Sequence, residues 1–226
     1  RAARQLEGRA ASAKLILWGH SQGGQAALIA AERAHSYAPE LALEGVAVAA
    51  PAANLRRLMT DDIINISGTT IASLAVPAYE DAYAGTYSKA DIDSILTPAG
   101  LAATPDLAAL CLLTQTKQIH AISGPLVGKY VKSDPATTEP WQTMLAENSA
   151  GTGIHVPVYV GQGLADKLVI PTATEAYVQS LCHAGVDVQF HRFAGITHAL
   201  AAYASVPSLL PWLEQVNTGR TPAGTC

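Results

Sequence analysis

The chain has 226 residues, of which 49% are hydrophobic and 14% are charged, and its formal net charge is −4. This composition excludes a disordered chain, and the scattered Lys and Arg residues exclude the electrostatic signature of a nucleic-acid-binding protein. No apolar stretch is long enough for a transmembrane segment, and the length suits one domain of ordinary size.

The predicted elements begin with the end of a helix. Residues Arg1–Arg9 have a helical pattern without a Met or a secretory signal pattern, so we expect the chain to begin partway through a fold. Four apolar runs then predict strands, and helical patterns lie between or after them. The predicted strands are Lys14–Trp18, Leu43–Ala49, Val156–Val160 and Val186–Phe193. The predicted helices are Gln22–Ser36, Pro171–His183 and Ala199–Asn217. This alternation predicts an α/β fold with a parallel sheet.

A long region separates the second and third predicted strands. Residues 55–151 contain helical patches but no convincing strand, and an unstructured loop of that length would be implausible inside a compact domain. We therefore predict an inserted helical subdomain over 55–151. The flanking residues 1–54 and 152–226 then form the α/β core.

A serine lies between the first predicted strand and the first helix. Residues Gly19 to Gly23 read G-H-S-Q-G, which fits the G-x-S-x-G pattern of a nucleophile elbow, with a strand before it and a helix after it. The two glycines are expected to remove side chains that would collide with the neighbouring strand and helix. Ser21 is therefore the predicted nucleophile, rather than an ordinary turn residue.

A serine nucleophile needs a base, and seven histidines are candidates. We expect His20, next to Ser21, to point elsewhere because of the turn geometry, and His191 to be a residue of the last strand. The others are His35, His120, His155, His183 and His198. His198 is favoured, because it follows the last strand, and open α/β sheets build their sites at the carboxyl ends of strands.

The acid that orients the base is expected between the serine and the histidine along the chain. Asp166 follows the third predicted strand directly and is the predicted acid. Asp187 is the alternative, but it opens the last strand and is expected to be exposed. A turn aspartate that bonds to its own backbone remains the structural alternative for Asp166.

Four segments together resemble the secretory lipase family of α/β-hydrolases. They are WGHSQGGQAAL, GVAVAAPAANL, PVYVGQGLADKLVIP and FAGITHA, and the resemblance covers almost the whole chain. It implies an α/β-hydrolase fold and a secreted carboxylic-ester hydrolase, that is, a lipase or esterase, of bacterial type. Carried over by position, it implies Ser21 as nucleophile, Asp166 as acid, His198 as base and the backbone N–H of Gln22 as an oxyanion donor.

The same resemblance implies that the insertion is a cap that covers the acyl pocket, serves as a lid and contacts a lipid–water interface. Its apolar residues would then line the pocket or, as the simpler alternative, form the core of the cap itself. These residues are Ile63, Ile64, Leu74, Val76, Leu96, Leu112, Leu113 and Leu126.

The three cysteines are Cys111, Cys182 and Cys226. No Cys/His spacing resembles a zinc site, and no cofactor or metal is expected. Cys226 ends a loose tail that a disulfide would anchor. Bacterial members of the family look to have cysteines in the positions of Cys182 and Cys226, so the resemblance implies that these two are paired.

The family has several strands before the nucleophile elbow, and a loop among them supplies the second oxyanion donor. We therefore expect this chain to cover the fold from the elbow strand onward, with the remaining strands supplied by residues outside it. Two function classes stay open: a serine ester hydrolase, and a truncated or non-catalytic hydrolase fold that acts as a binding module.

Overall fold

The computed structural model describes residues 12–87, 91–112 and 114–226. The helix end predicted over Arg1–Arg9 and the apolar residue Leu113 lie outside the described residues. The chain separates into two units: a sheet unit, which contains the residues up to Ala53 and Ala150–Cys226, and a helical unit, Asn54–Ser149.

Among its described residues, the sheet unit is built on four parallel strands in the spatial order β1-β2-β3-β4. The strands are β1 (Lys14–His20), β2 (Ala42–Ala49), β3 (Val158–Gly163) and β4 (Val188–Phe193). The predicted parallel α/β sheet is therefore confirmed. Because all four strands run the same way, their carboxyl ends lie along one edge of the sheet.

Pairing between strands moves two strand ends beyond the predicted limits. β1 continues to His20, which pairs with Ala49, and β3 continues to Gly163, which pairs with Phe193. Glycine is a poor strand former by itself. Cross-strand hydrogen bonds therefore decide these ends rather than local preference.

Helices cover both faces of the sheet. They are α1 (Gln22–Tyr37), α7 (Pro171–His183) and α8 (Ala201–Asn217). Because side chains alternate along a strand, Val46, Val48 and Val158 pack in one core with residues of α1 and α7, such as Leu28 and Leu181. The intervening Ala47 and Tyr159 pack on the other side with Trp212 of α8. The result is a helix–sheet–helix sandwich.

The carboxyl-terminal tail lies along the outer edge of β4. The Thr225 N–H donates to the Val188 carbonyl at 2.7 Å, and the Phe190 N–H donates to Thr225 Oγ1 at 3.0 Å. Cys182 of α7 is disulfide-bonded to Cys226, which is the pairing that the resemblance implied, and their sequence separation is 44 residues. A cross-link of this span stabilises the fold by about 4 kcal/mol in the chain-entropy model. The exposed Cys111 is a free thiol.

The other edge of the described sheet is β1. Trp18 on this strand is 44% exposed. The expectation that residues outside the chain pair with β1 stays a prediction.

The helical unit lies between β2 and β3 along the chain. Its helices are α2 (Leu55–Asp62), α3 (Ile66–Tyr83), α4 (Pro98–Ala108), α5 (Thr116–Ser123) and α6 (Trp141–Glu147), with 3-10 turns at Ile92–Ser94 and Gly124–Leu126. An isolated antiparallel bridge joins Leu96 to Val131. Its assignment as a cap stays a prediction.

Most of the apolar residues singled out in the insertion form the core of the helical unit. Ile63, Val76, Leu96 and Leu126 are buried there, and Leu112 packs against them. Leu74 is half-buried, and Ile64 differs from the rest because it is 70% exposed. The simpler alternative, a core of the unit's own, therefore describes the buried members of the set.

No helix within the described ranges is both long enough and apolar enough to cross a membrane.

Candidate active site

Ser21 lies in the turn that joins β1 to α1. Its backbone has φ 57° and ψ −123°, a left-handed conformation that a residue with a side chain rarely adopts. Two hydrogen bonds to neighbouring backbone hold the turn: the Ser21 N–H donates to the Ala49 carbonyl at 3.0 Å, and the Ala52 N–H donates to the Ser21 carbonyl at 3.1 Å. Strained backbone that is held in this way is typical of functional positions.

The glycines around Ser21 have different structural roles. A Cβ atom on Gly19 would collide with the main chain of Gly23, and a Cβ atom on Gly24 would lie 2.9 Å from the Cβ of Pro51. Around Gly23, apart from its chain neighbours and the backbone of its own helix, no atom of the described residues comes within 4 Å of such a Cβ. The prediction that both motif glycines prevent collisions is therefore wrong for Gly23, and the tight approach involves Gly24 instead.

The structure brings Ser21, His198 and Asp166 together at the carboxyl ends of β1, β4 and β3. Ser21 Oγ lies 2.9 Å from His198 Nε2, and His198 Nδ1 lies 2.8 Å from Asp166 Oδ2. An ionised carboxylate only accepts hydrogen bonds, so Nδ1 of His198 donates to it. Nε2 of the neutral ring then has its lone pair free to accept the Ser21 hydroxyl proton.

Asp166 is held in one orientation by its own loop. Its side chain is fully buried, whereas that of His198 is 16% exposed. The backbone N–H groups of Leu168 and Val169 donate to Oδ1 at 2.8 and 2.9 Å, which leaves Oδ2 directed at His198. Asp166 thus makes the local backbone bonds of a turn aspartate and also orients the histidine. The alternative acid, Asp187, is exposed just before β4.

Gln162 is a site residue that sequence reasoning missed. This fully buried residue of β3 donates from Nε2 to Asp166 Oδ2 at 3.3 Å, and its Oε1 accepts from the Thr174 hydroxyl at 2.7 Å. A hydrogen-bonded chain therefore runs from Thr174 through Gln162 to Asp166 and His198. The sequence carried no clear signal for it, because Gln162 lies between two glycines beyond the predicted end of the strand, and only its burial shows that the amide needs partners.

Two other histidines, His191 and His20, differ in their position relative to His198. His191 lies in β4 and stacks on Tyr159, with ring centroids 5.1 Å apart, so it is a strand residue as predicted. The hydrogen bond described for the His20 ring runs elsewhere than to the Ser21 hydroxyl, as expected, but the ring still lies beside His198. The two ring centroids are 4.7 Å apart, and His20 Nε2 bonds to the His198 backbone.

Gln22 is the first residue of α1. The first N–H groups of a helix have no intrahelical acceptor, and the positive end of the helix dipole lies there. The Gln22 N–H next to Ser21 is therefore available to an anion that develops on a bound substrate.

The described residues contain no group of three or more His, Cys, Asp or Glu side chains arranged to hold a metal ion. A hydroxyl, an imidazole and a buried carboxylate in hydrogen-bonded series can carry out acyl transfer, with the serine as nucleophile and the histidine as proton carrier. Together with the parallel sheet and the serine at the strand–helix turn, this arrangement defines an α/β-hydrolase fold.

The chain belongs to the Secretory lipase family, whose model matches residues 1–224. It is similar to the X-ray structure of Candida antarctica lipase A, with a TM-score of 0.69 and 20% identity, covering 94% of this chain and 51% of that one. At this identity, the similarity shows the fold alone.

Of two curated relatives, one is named as an esterase and the other as a probable inactive lipase. A trichothecene C-3 esterase of Fusarium sporotrichioides is 26% identical over 220 residues, which cover 91% of this chain and 47% of the relative. A probable inactive lipase of Mycobacterium tuberculosis is 25% identical over 211 residues, which cover 90% of this chain and 45% of the relative. The chain thus spans about half the length of the curated relatives it matches.

Proposed function

We propose that this chain supplies the catalytic residues of a secreted serine hydrolase that cleaves carboxylic esters, either acylglycerols or simpler acyl esters. The observation that carries the proposal is the series Ser21 Oγ–His198 Nε2 at 2.9 Å and His198 Nδ1–Asp166 Oδ2 at 2.8 Å. Membership of the Secretory lipase family supports an ester as the substrate.

In the first half of the reaction, His198 Nε2 takes the Ser21 hydroxyl proton while Oγ attacks the ester carbonyl carbon. The carbonyl oxygen becomes an oxyanion, to which the Gln22 N–H donates at the amino terminus of α1. Asp166 keeps the ring in the tautomer that accepts at Nε2 and stabilises the imidazolium. Collapse of the tetrahedral intermediate expels the alcohol, which leaves with the proton from Nε2.

In the second half, water attacks the acyl group on Ser21. His198 takes a proton from that water, and the ester bond to Oγ breaks as Oγ recovers a proton from Nε2. The carboxylic acid is released, and the enzyme returns to its starting protonation.

The second candidate is a non-catalytic hydrolase fold that acts as a binding module, and the relative described as a probable inactive lipase favours keeping it. The intact series of Ser21, His198 and Asp166 argues against it, because a binding module has no need of a buried acid that orients a histidine.

Labelling by a fluorophosphonate probe separates the two candidates, together with turnover of a series of p-nitrophenyl esters by the complete natural protein. We expect labelling and turnover in the natural protein, loss of both in Ser21→Ala, and a comparable loss of turnover in His198→Ala. His191→Ala is the matched control, because His191 is a half-buried histidine on β4 without a contact to Ser21 among its described bonds. An unlabelled natural protein, or a His191→Ala loss equal to that of His198→Ala, would contradict the proposal.

The disulfide between Cys182 and Cys226 supports secretion, because disulfides persist in oxidising compartments and are rare in the cytosol. Detection of the protein with this disulfide in the culture medium, by non-reducing peptide mass analysis, tests this point. Retention in the cytosol with both thiols reduced would contradict it.

We also propose that the helical unit is the cap and contacts lipid interfaces through exposed apolar residues such as Ile64. Ile64→Ser is expected to lower activity on an emulsified triacylglycerol and to leave activity on a water-soluble ester unchanged. Equal activity of the variant and the natural protein on the emulsion would contradict the proposal.

A further inference from the structure

The feature that the mechanism leaves unused is the imidazole of His20, the last residue of β1. Its Nε2 lies 3.0 Å from the backbone carbonyl oxygen of His198, and the two rings are in contact with a tilt of 39°. A carbonyl oxygen only accepts hydrogen bonds, so His20 Nε2 carries a proton and donates it.

We propose that His20 is a positioning residue: its hydrogen bond to the His198 carbonyl keeps the base in reach of Ser21. The proposal rests on the proposed function, because it assigns His20 a role through the base of that reaction.

Sheet topology explains why such a bond is needed. Ser21 follows β1 and His198 follows β4, and these are the two outermost strands of the described sheet. Three interstrand spacings separate them, which is about 14 Å, so no ladder hydrogen bond links the two strand ends directly. Asp166 ties the His198 ring to the loop after β3, whereas the His20 bond ties the His198 main chain to β1, on which the nucleophile is carried.

The segment around His198 is held by local backbone bonds, and these do not link it to β1. His198 begins a 3-10 turn of three residues, His198–Leu200, in the connection between β4 and α8. The turn is closed by the Ala201 N–H, which donates to the same His198 carbonyl, and 3-10 hydrogen bonds have poorer geometry than those of an α-helix. A displacement of about 1 Å at a reacting group is enough to cost about 10²-fold in rate, so an added anchor at this residue has a large effect.

The charge state of His20 suits this role. Burial lowers the pKa of His20 and the neighbouring charge of His198 lowers it further, while the bond to the His198 backbone and the Asp166 carboxylate act in the opposite direction. A neutral His20 still donates from Nε2. It also adds no second positive charge beside His198 when that ring takes the proton from Ser21.

Two substitutions of His20 in the complete natural protein separate the hydrogen bond from the ring. His20→Gln places an amide N–H where Nε2 lies and keeps the donor, whereas His20→Phe keeps an aromatic ring and removes the donor. We expect kcat on a soluble ester to stay within about threefold of the natural value in His20→Gln and to fall about 10- to 100-fold in His20→Phe, with KM changed less than twofold.

His191→Phe is the matched control, because it removes a half-buried histidine ring of the same sheet that stacks on Tyr159. Its kcat is expected to equal that of the natural protein. Circular dichroism and thermal unfolding establish that each variant is folded, and His20→Leu serves as a second donor-free variant if His20→Phe does not fold. A donor-free, folded variant with the natural kcat, or a His20→Gln variant as impaired as the donor-free one, would overturn the proposal.

A readout that does not depend on turnover separates this proposal from the proposed function. The His198 Nδ1 proton is observable by NMR when the ring is held on Asp166. We expect its resonance to persist in the natural protein and in His20→Gln, and to broaden through faster exchange with water in His20→Phe. An unchanged resonance in His20→Phe overturns the positioning role. Absence of ester turnover in the natural protein, with the NMR pattern as expected, would instead refute the proposed function alone.

Discussion

Buried polar side chains form hydrogen-bonded chains in both units, but the chains end differently. In the sheet unit, Thr174, Gln162 and Asp166 are buried, and their chain continues to the partly exposed His198 and to Ser21. It therefore ends at groups that are partly exposed.

In the helical unit, the corresponding hydrogen bonds join buried groups only to other buried groups of the same unit. The Thr104 hydroxyl bonds to the Tyr130 hydroxyl at 2.8 Å and donates to the Gly100 carbonyl, and the Thr70 hydroxyl bonds to Ser123 at 3.2 Å. Burial raises the pKa of Tyr130, as expected of a phenol that serves only as a neutral hydrogen-bonding group. Burial of polar groups by itself is thus no sign of function. The two units differ in whether the series of hydrogen bonds ends at partly exposed groups or at buried ones.

The largest effect on kcat is expected at Asp166, where the series of hydrogen bonds in the sheet unit reaches His198. Asp166→Asn preserves the size of the side chain but presents an amide to His198 Nδ1, so the ring no longer holds the tautomer that accepts from Ser21. We expect kcat on a soluble ester to fall about 10⁴-fold with the fold retained. Steady-state kinetics and circular dichroism measure the two properties. Asp187→Asn, at the exposed alternative acid, should behave as the natural protein does, and an equal loss there would contradict the assignment.

The second prediction concerns Gln162 and Thr174, which are hydrogen-bonded in series to Asp166, and tests whether they contribute to catalysis. Gln162→Leu removes the donor to Asp166 Oδ2 and leaves the Thr174 hydroxyl without its partner. We expect kcat to fall about 10-fold and the free energy of unfolding to fall by about 1–3 kcal/mol. Thr174→Val, at the far end of this hydrogen-bonded series, leaves the buried Gln162 Oε1 without its donor and should lower stability by about 1–3 kcal/mol while kcat stays within threefold. If both variants changed kcat equally, the assignment of Gln162 to the site and of Thr174 to structural support alone would be contradicted.

The helical unit should show stability effects without catalytic ones. Thr104→Val leaves the Tyr130 hydroxyl buried without a partner, so we expect about 1–3 kcal/mol less stability in urea unfolding and an unchanged kcat on a soluble ester. Adding Tyr130→Phe removes the orphaned hydroxyl, so the double variant should recover part of that loss. A double variant less stable than Thr104→Val, or a large fall in kcat, would contradict a purely structural role for this pair.

The smallest effect concerns acid pH. Burial lowers the pKa of His191 below its ordinary value of 6.5, as it does for His20. Below pH 6.5 these histidines bind protons more readily in the unfolded chain than in the folded chain. Their contribution to the free energy of unfolding is therefore complete above pH 6.5 and declines as the pH falls below 6.5. We expect urea unfolding between about pH 7 and 5 to show falling stability, with a shallower dependence in His191→Phe. Identical pH dependence in both proteins would contradict the assignment to His191.

Several features of the fold and site followed from local sequence. Apolar runs before Gly or Pro predicted all four strands, and the pattern around Ser21 predicted a strand–helix turn. The choice of Asp166 and His198 depended on their positions after the third and fourth strands, and the structure places His198 beside Ser21 and Asp166 beside His198. These features could be predicted because each depends on neighbours in the chain or on the common edge of a parallel sheet.

Other features depended on contacts between distant residues. The end of β1 at His20 requires β2, and the bond from His20 to His198 spans 178 residues of sequence. Gln162 resembles any polar residue in a turn until Thr174 and Asp166 enclose it. The need for a small residue shifts from Gly23 to Gly24 because Pro51 comes from the segment after β2.

The sequence by itself therefore determined the order of the elements, the nucleophile turn and the chain order of serine, acid and histidine, because periodicity, turn chemistry and strand ends are local properties. Only the tertiary structure decided which buried polar groups join the site and which side chain fixes the base. Those assignments depend on distances of about 3 Å between residues on different strands, helices and loops, and such distances exist only after these elements have assembled.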